Sequence, residues 1–299
     1  MIGTIKIRRV LTLCISVVYL GISFSVHAEA QKPPVNAIAS AHPLATQAGM
    51  EIFAKGGNAF DAAVAVAAVL AVVEPYNSGL GGGGFWLLHN AAKDTDVVID
   101  SRERAPLAAT KNMFLDDEGD IKPYSSLVGP LSAAIPGEPA AMAYLAENYG
   151  KLPLSTTLAP AIYWAESGFL VDTLFQQVVS KPYVLKLLNH YPSSASIFLH
   201  EKQIPMIGTK IVQKDLANTL RTLAKDGHDG FYKGPVAKKL VDAVQERGGI
   251  WTLKDLESFE VEVRAPLYGK YKNIDIVTVP PPSAGGVAVI TMLNILEPV

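Results

Sequence analysis

Cysteine is nearly missing from this chain: Cys14 is the only one in 299 residues. A single cysteine cannot close an internal disulfide, so a disulfide-stapled scaffold is excluded. Charge is scarce too, at 18% of residues against roughly 25% in an average soluble protein, which argues against a charge-solvated disordered chain. Neither sign dominates. With 26 basic and 28 acidic residues the formal charge is -2, which offers no footprint for nucleic acid. Internal repeats, charge blocks and long linkers are absent as well. What is abundant is apolar: 49% of residues are hydrophobic, punctuated by 24 Gly and 20 Pro. The length suits one large domain or two ordinary ones, with core enough to fold without metal.

The N-terminus departs from these averages. Lys6, Arg8 and Arg9 precede an apolar stretch from Val10 to Phe24, and Val26-His27-Ala28 follows with small residues where a signal peptidase inspects. Residues 1–28 therefore read as a secretory signal peptide, and residues 29–299 as the exported, periplasmic or extracellular chain. An uncleaved membrane anchor is the competing reading, but the stretch is short of the roughly 20 residues a span needs. Cleavage removes three basic residues, shifting the formal charge from -2 to -5, and takes Cys14 with it. Thiol nucleophiles, thiolate metal sites and redox chemistry are then excluded.

Along the rest of the chain, Pro43–Lys55 predicts a helix that starts on Pro43 and stops at Gly56-Gly57. Asn58 is a natural N-cap for the next helix, and Asp61 sits where a carboxylate favours the helix dipole. Ala59–Val73 holds seven Ala and five Val, so that helix should be buried on every side. Phe85–Leu88 and Val97–Ile99 predict short buried strands across a polar Asn90–Asp96 connection. Helices follow at Pro139–Tyr149, Pro160–Ser167, Asp215–Lys225 and around Val236–Val244, with strands at Val261–Arg264 and Ile274–Val279. Interleaved helices and strands predict a mixed α and β domain layered on one core. A final apolar stretch, Val287–Leu296, meets Pro298-Val299 with no polar tail, so the chain is expected to be cut short.

Several familiar signatures fail on inspection. Gly79, Gly81 and Gly84 fit G-x-G-x-x-G, with Asp100 near the spacing of a ribose-binding acid. The dinucleotide fingerprint needs a strand before the glycines and a helix after them, and here that order is reversed. A tight turn that lets backbones pass closely is the better reading. Gly150-Lys151 and Gly269-Lys270 lack the other residues of a phosphate loop. His200-Glu201 does not continue into H-E-x-x-H, so no metal is expected. Ser283 lacks the glycine of a nucleophile elbow, and Asp116-Asp117 falls in solvated loop sequence. The segment Asp100-Ser101-Arg102-Glu103-Arg104-Ala105-Pro106 resists so plain a reading. It lies where a buried strand runs out into a loop, and an Arg there presents a fork of donors matched to a carboxylate. Alternatively, Arg102 or Arg104 simply pairs with Asp100 or Glu103. The residues alone leave both open.

Taken together, these segments resemble the γ-glutamyltranspeptidase (glutathione hydrolase) family. The resemblance is carried by Ala41-His42-Pro43-Leu44-Ala45, Gly56-Gly57-Asn58-Ala59-Phe60-Asp61-Ala62-Ala63 and Gly79-Leu80-Gly81-Gly82-Gly83-Gly84-Phe85. It continues through Arg102-Glu103-Arg104-Ala105-Pro106, Pro136-Gly137, Leu158-Ala159-Pro160-Ala161-Ile162, Pro280-Pro281-Pro282-Ser283-Ala284-Gly285-Gly286 and Met292-Leu293-Asn294-Ile295-Leu296. It implies an α+β N-terminal-nucleophile hydrolase fold, a four-layer αββα sandwich, incomplete in this chain. It also implies a precursor that cuts itself before a Thr, which becomes the N-terminal nucleophile of a small subunit and attacks the γ-glutamyl amide of glutathione. Water or the amine of an amino acid or dipeptide resolves the acyl-enzyme, with no cofactor. The Arg of R-E-x-A-P, which holds the α-carboxylate of the γ-glutamyl group, maps onto Arg102; Arg104 receives no role.

The departure matters equally. The family's Thr-Thr-His segment has no counterpart, since Thr156-Thr157 is followed by Leu158. The nucleophile is expected downstream of Val299, residues 29–299 being the N-terminal portion of the large subunit, and the 299-residue chain is expected to be inactive alone. Two other readings stand beside this one. The chain could be a non-catalytic γ-glutamyl-binding or partner-binding remnant. It could also be an amide acylase of the same fold, of the kind acting on cephalosporin side chains. Arg102 weighs against the acylase, because glutaryl-type groups lack the paired carboxylate and amine.

Overall fold

The structure, a computed structural model, describes residues 36–297. The chain divides into two units, Met1–Ala37 and Ile38–Val299. The signal-peptide segment, residues 1–28, lies outside the described residues.

Helix α1 (Pro43–Ala54) starts as its sequence dictates. Pro43 occupies the first turn, where a missing N–H costs nothing, and His42 Nδ1 accepts the Leu44 N–H at 3.1 Å. Burial lowers the His42 pKa, which suits a neutral ring acting as acceptor. Gly56, at a φ of +87°, turns the chain back towards α2 (Ala59–Val73). There the capping box is complete: Asn58 Oδ1 accepts the Phe60 and Asp61 N–H groups, and Asp61 accepts that of Asn58 at 2.8 Å. Asp61 also accepts the N–H groups of Lys151 and Leu152, which the sequence did not signal. Helix α2 forms the centre of the core, where Val64, Ala65, Ala68, Val69 and Val72 are fully buried. Its burial is not quite uniform. Ala63, Val66, Ala67 and Leu70, spaced three and four apart, form one stripe that stays half-buried.

A glycine-rich turn leads into the hairpin β1 (Phe85–Asn90) and β2 (Thr95–Asp100), paired from Phe85 opposite Asp100 to Asn90 opposite Thr95. Both strands run further than their apolar runs predict, because polar residues also pair: His89 Nδ1 and Asp96 Oδ1 meet at 2.8 Å across the ladder. A helical stretch follows: α3 (Glu138–Asn148), α4 (Leu154–Thr157), α5 (Ala159–Ser167), the short β3 (Phe169–Leu170), α6 (Thr173–Val179), α7 (Pro182–His190) and α8 (Pro192–Phe198). Then come β4 (Lys210–Ile211), α9 (Lys214–Asp226), α10 (His228–Tyr232), α11 (Gly234–Gln245) and α12 (Leu253–Glu257). Helix α9 buries Ala217, Leu220 and Leu223 against the core. Just before it, Gln213 Nε2 donates to the Val72 carbonyl at 2.8 Å, satisfying an orphan acceptor at the end of α2.

The last strands are β5 (Glu262–Arg264), β6 (Leu267–Tyr271) and β7 (Ile274–Thr278). Strand β5 pairs antiparallel with the free edge of β2, giving the sheet order β1-β2-β5, while β6 and β7 form their own hairpin. Helix α13 (Ala284–Leu296) closes the described chain. Its sequence is almost wholly apolar, yet Val287, Val289, Met292, Ile295 and Leu296 are exposed. Among the described residues, no helix is long and apolar enough to cross a membrane.

Candidate functional site

Three backbones cross where the glycine turn, the end of β2 and the start of α3 meet. The Ser101 and Gly84 backbones exchange N–H···O bonds of 3.0 and 3.3 Å, which extends the β1–β2 ladder by one pair. Gly82 supplies its carbonyl to two donors, the N–H groups of Gly137 and Glu138, at 2.8 and 2.9 Å. A Cβ on either Gly83 or Gly137 would overlap the Ser101 carbonyl oxygen, so only glycine fits on both sides of it. Of the turn's glycines, Gly83 makes that close passage, whereas a Cβ on Gly81 or Gly84 would meet nothing within 4 Å. Helix α2 precedes them and strand β1 follows, opposite to a dinucleotide fingerprint. The start of α3 is also closed to an anion. Two of its donors are taken by Gly82, Pro139 has none, and Ala140 N–H reaches the Tyr232 hydroxyl at 3.2 Å.

That crossing fixes the loop carrying Arg102. Asp100 Oδ1 accepts the Arg102 N–H at 3.0 Å, an Asx-type turn at the end of β2. Beyond it, Arg104 and Ile135 exchange backbone hydrogen bonds of 3.3 and 2.8 Å. The two arginines then part company. Arg104 donates to Glu262 Oε1 at 3.0 Å and lies 5.2 Å from the Phe259 ring centre. Asp100 is paired with Arg264, Nε to Oδ2 at 2.6 Å. Arg102 is exposed, and among the described residues its guanidinium has no ion-pair partner. It lines an opening of about 600 Å³ together with Gly81, Glu103, Ser132, Ala133 and Trp251. Neither arginine pairs with Asp100 or Glu103, so the purely local reading of this segment does not hold.

Behind the loop lies a partly buried polar layer. Burial pushes the Glu138 carboxyl up to about 7; the Trp86 hydrogen bond opposes this and the nearby Glu103 charge adds to it. The Tyr232 hydroxyl donates to the Pro136 carbonyl at 2.7 Å, and burial raises its pKa above the usual phenol range. Its ring stacks between Phe259, at 5.5 Å and 9°, and His228, at 4.4 Å and 16°.

The other residues weighed from sequence lie elsewhere. Thr157, in α4, is buried and donates its hydroxyl to the Leu154 carbonyl at 3.0 Å, a helix-internal bond. Asp116 closes an exposed turn by accepting the Glu118 and Asp120 N–H groups. His200 forms a backbone bridge with Gln203, and Ser283 sits at the start of α13. Among the described residues, no group of three or more His, Cys, Asp or Glu side chains is placed to hold a metal ion. Sequence reasoning missed the Asp100–Arg264 pair, whose members are 164 positions apart and meet only because β5 returns to β2.

The α+β fold built around this crossing is that of the N-terminal-nucleophile hydrolases: it matches the crystal structure of Helicobacter pylori γ-glutamyltranspeptidase with a TM-score of 0.86 at 39% identity, covering 90% of this chain and 76% of that one. The γ-glutamyltranspeptidase family model matches residues 45–299, and the chain belongs to that family. Bacillus subtilis (strain 168) glutathione hydrolase proenzyme is 38% identical over 301 residues, covering 96% of this chain and 51% of the relative. Acylase ACY 1 proenzyme of Pseudomonas sp. (strain V22) is 36% identical over 263 residues, covering 86% of this chain and 46% of the relative. The chain thus spans about half the length of the curated relatives it matches.

Proposed function

We propose that this chain carries the carboxylate-anchoring part of a γ-glutamyltransferase/glutathione hydrolase site, in which Arg102 clamps the α-carboxylate of the γ-glutamyl group. One observation carries the reading: Arg102 combines a tethered backbone with an exposed guanidinium that has no ion-pair partner among the described residues, beside an opening of about 600 Å³. A planar fork of donors held this way matches a carboxylate in two parallel hydrogen bonds. Family membership supports the rest of the proposed chemistry. A Thr hydroxyl from sequence downstream of Val299, freed as an N-terminus by self-cleavage, attacks the γ-carbonyl, while its own α-amine takes the proton and delivers it to the departing amine. The γ-glutamyl ester is then opened by water, giving glutamate, or by the amine of an amino acid or dipeptide, giving a new γ-glutamyl amide. Donors at the tetrahedral oxygen, also outside residues 1–299, lower both barriers. The exposed apolar face of α13 supports a further partner, the small subunit cut from the same precursor. Export through the segment 1–28 would place the reaction outside the cytoplasm.

The similarity to an acylase supports a second reading, hydrolysis of an amide whose acyl group lacks the α-amine but keeps the carboxylate; Arg102 can hold that carboxylate equally well, so it does not by itself weigh against the acylase. The test is to express the encoding gene through its natural stop and assay three anilides: γ-glutamyl, 4-aminobutyryl (no α-carboxylate) and glutaryl (no α-amine). The γ-glutamyl anilide should be turned over at least about tenfold better than either, and residues 1–299 alone should turn over none. Preference for the glutaryl anilide would instead establish the acylase, and equal use of the 4-aminobutyryl anilide would remove the carboxylate clamp.

A further inference from the structure

We infer that Asp100, held by Arg264, is the positioning residue that aims Arg102 at the substrate carboxylate. The inference rests on Arg102 being that anchor and adds what sets its direction. Asp100 is 7% exposed, and its two carboxylate oxygens do different things. Oδ1 accepts the Arg102 N–H at 3.0 Å, fixing the point at which the chain leaves β2. Oδ2 accepts Arg264 Nε at 2.6 Å from the neighbouring strand. Arg264 sits opposite Val98 and Glu262 opposite Asp100, so the Asp100–Arg264 contact is a diagonal across the β2–β5 ladder. Arg264 also bonds Glu262, whose other oxygen takes Arg104. The acid of the turn is thereby pinned from the far strand and cannot rotate away from the Arg102 N–H without breaking a charged ladder.

The rest of the loop is held by independent means. The Ser101 carbonyl is pinched between Gly83 and Gly137, and Arg104 is bridged to Ile135. These contacts fix the backbone on either side of Arg102, but only Asp100 holds the N–H of Arg102 itself. A side chain that must meet a carboxylate with two aligned donors is sensitive to the direction in which its Cα–Cβ bond leaves the chain, and an unanchored amide leaves that direction free. Arg102 then keeps its charge and loses its aim.

A double-mutant cycle on the complete gene product, read as KM and kcat for the γ-glutamyl anilide, tests this. Arg102→Ala should raise KM about a hundredfold, and Asp100→Ala about tenfold with kcat within about twofold, the signature of lost uniform binding. In the Arg102→Ala background, Asp100→Ala should change KM by less than about twofold, since it acts only through Arg102. Asp100→Asn keeps one acceptor for the Arg102 N–H but turns an amide NH2 towards Arg264 Nε, so it should raise KM by an intermediate factor of about three to five; it also serves if Asp100→Ala does not fold. Unchanged KM in Arg102→Ala would remove the anchor itself. A normal effect of Arg102→Ala with an equal Asp100→Ala penalty in both backgrounds would overturn the positioning role alone. So would, where Asp100→Ala does not fold, an Asp100→Asn variant with the KM of the unaltered protein, or one whose KM penalty persists in the Arg102→Ala background.

Discussion

Asp61 and Arg102 both stand at the end of a regular element, and both belong to a sequence segment distinctive enough to mark the family. Their surroundings are opposite. Asp61 is fully buried, and its carboxylate accepts the N–H groups of Asn58, Lys151 and Leu152. Arg102 is exposed, held by its own N–H, and its side chain meets no acidic group among the described residues. The contrast separates two reasons for a polar residue to be specified. One closes the scaffold, tying the start of α2 to the segment after α3. The other presents an unfilled valence on a rigid base, which is what a binding residue requires.

If that division is right, the largest effect on stability belongs to Asp61. Replacing it with Ala strands three N–H groups in or near the core and should cost about 3–4 kcal/mol in urea unfolding. Gly137→Ala comes next. Its Cβ would overlap the Ser101 carbonyl oxygen, so a backbone must shift, and a loss of about 2–3 kcal/mol is expected by the same measurement. Because that shift moves the Arg102 loop, Gly137→Ala should also weaken γ-glutamyl binding, unlike Asp61→Ala.

A smaller effect concerns pH. Glu138 is pushed up to about 7 in the folded protein from 4.5, so the folded state holds its proton more tightly than the unfolded chain does. Its stabilising contribution is whole below about pH 4.5 and is lost as pH rises through about 7; the full shift corresponds to about 3 kcal/mol, and the partial exposure of Glu138 reduces the expected decline to about 1–2 kcal/mol. Glu138→Gln should flatten that part of the stability profile. Smallest of all, Arg102→Ala should leave stability within about 0.5 kcal/mol of the unaltered protein, because its guanidinium makes no ion pair to lose.

The sequence made the local pieces of this contrast legible and hid the distant ones. Asn58 and Asp61 announce a helix start through spacing alone, and Pro43 and Gly56 bracket α1 in the same way. A tight glycine turn was readable because the order of helix and strand around it excluded a nucleotide loop, but the close passage falls at Gly83 and not at Gly79, Gly81 or Gly84. Nothing local reveals that the passage is the Ser101 carbonyl between Gly83 and Gly137, since that depends on three segments converging. Arg102 and Arg104 look alike in sequence. They differ only because β5 returns to β2 and brings Glu262 and Phe259 to one of them. The resemblance to the family singled out Arg102, and the geometry supplies a physical distinction between the two arginines. Helix α13 shows the reverse limit: its apolar composition reads as core, yet much of it faces outward among the described residues.

The most direct test of the central claim compares two substrates on two proteins. The complete gene product should prefer the γ-glutamyl anilide to the 4-aminobutyryl anilide by about tenfold to hundredfold in kcat/KM, reflecting a charge-assisted pair with the α-carboxylate. In Arg102→Ala that ratio should collapse to about one while the melting temperature stays unchanged. A ratio that survives the substitution would contradict the assignment of Arg102 as the carboxylate anchor.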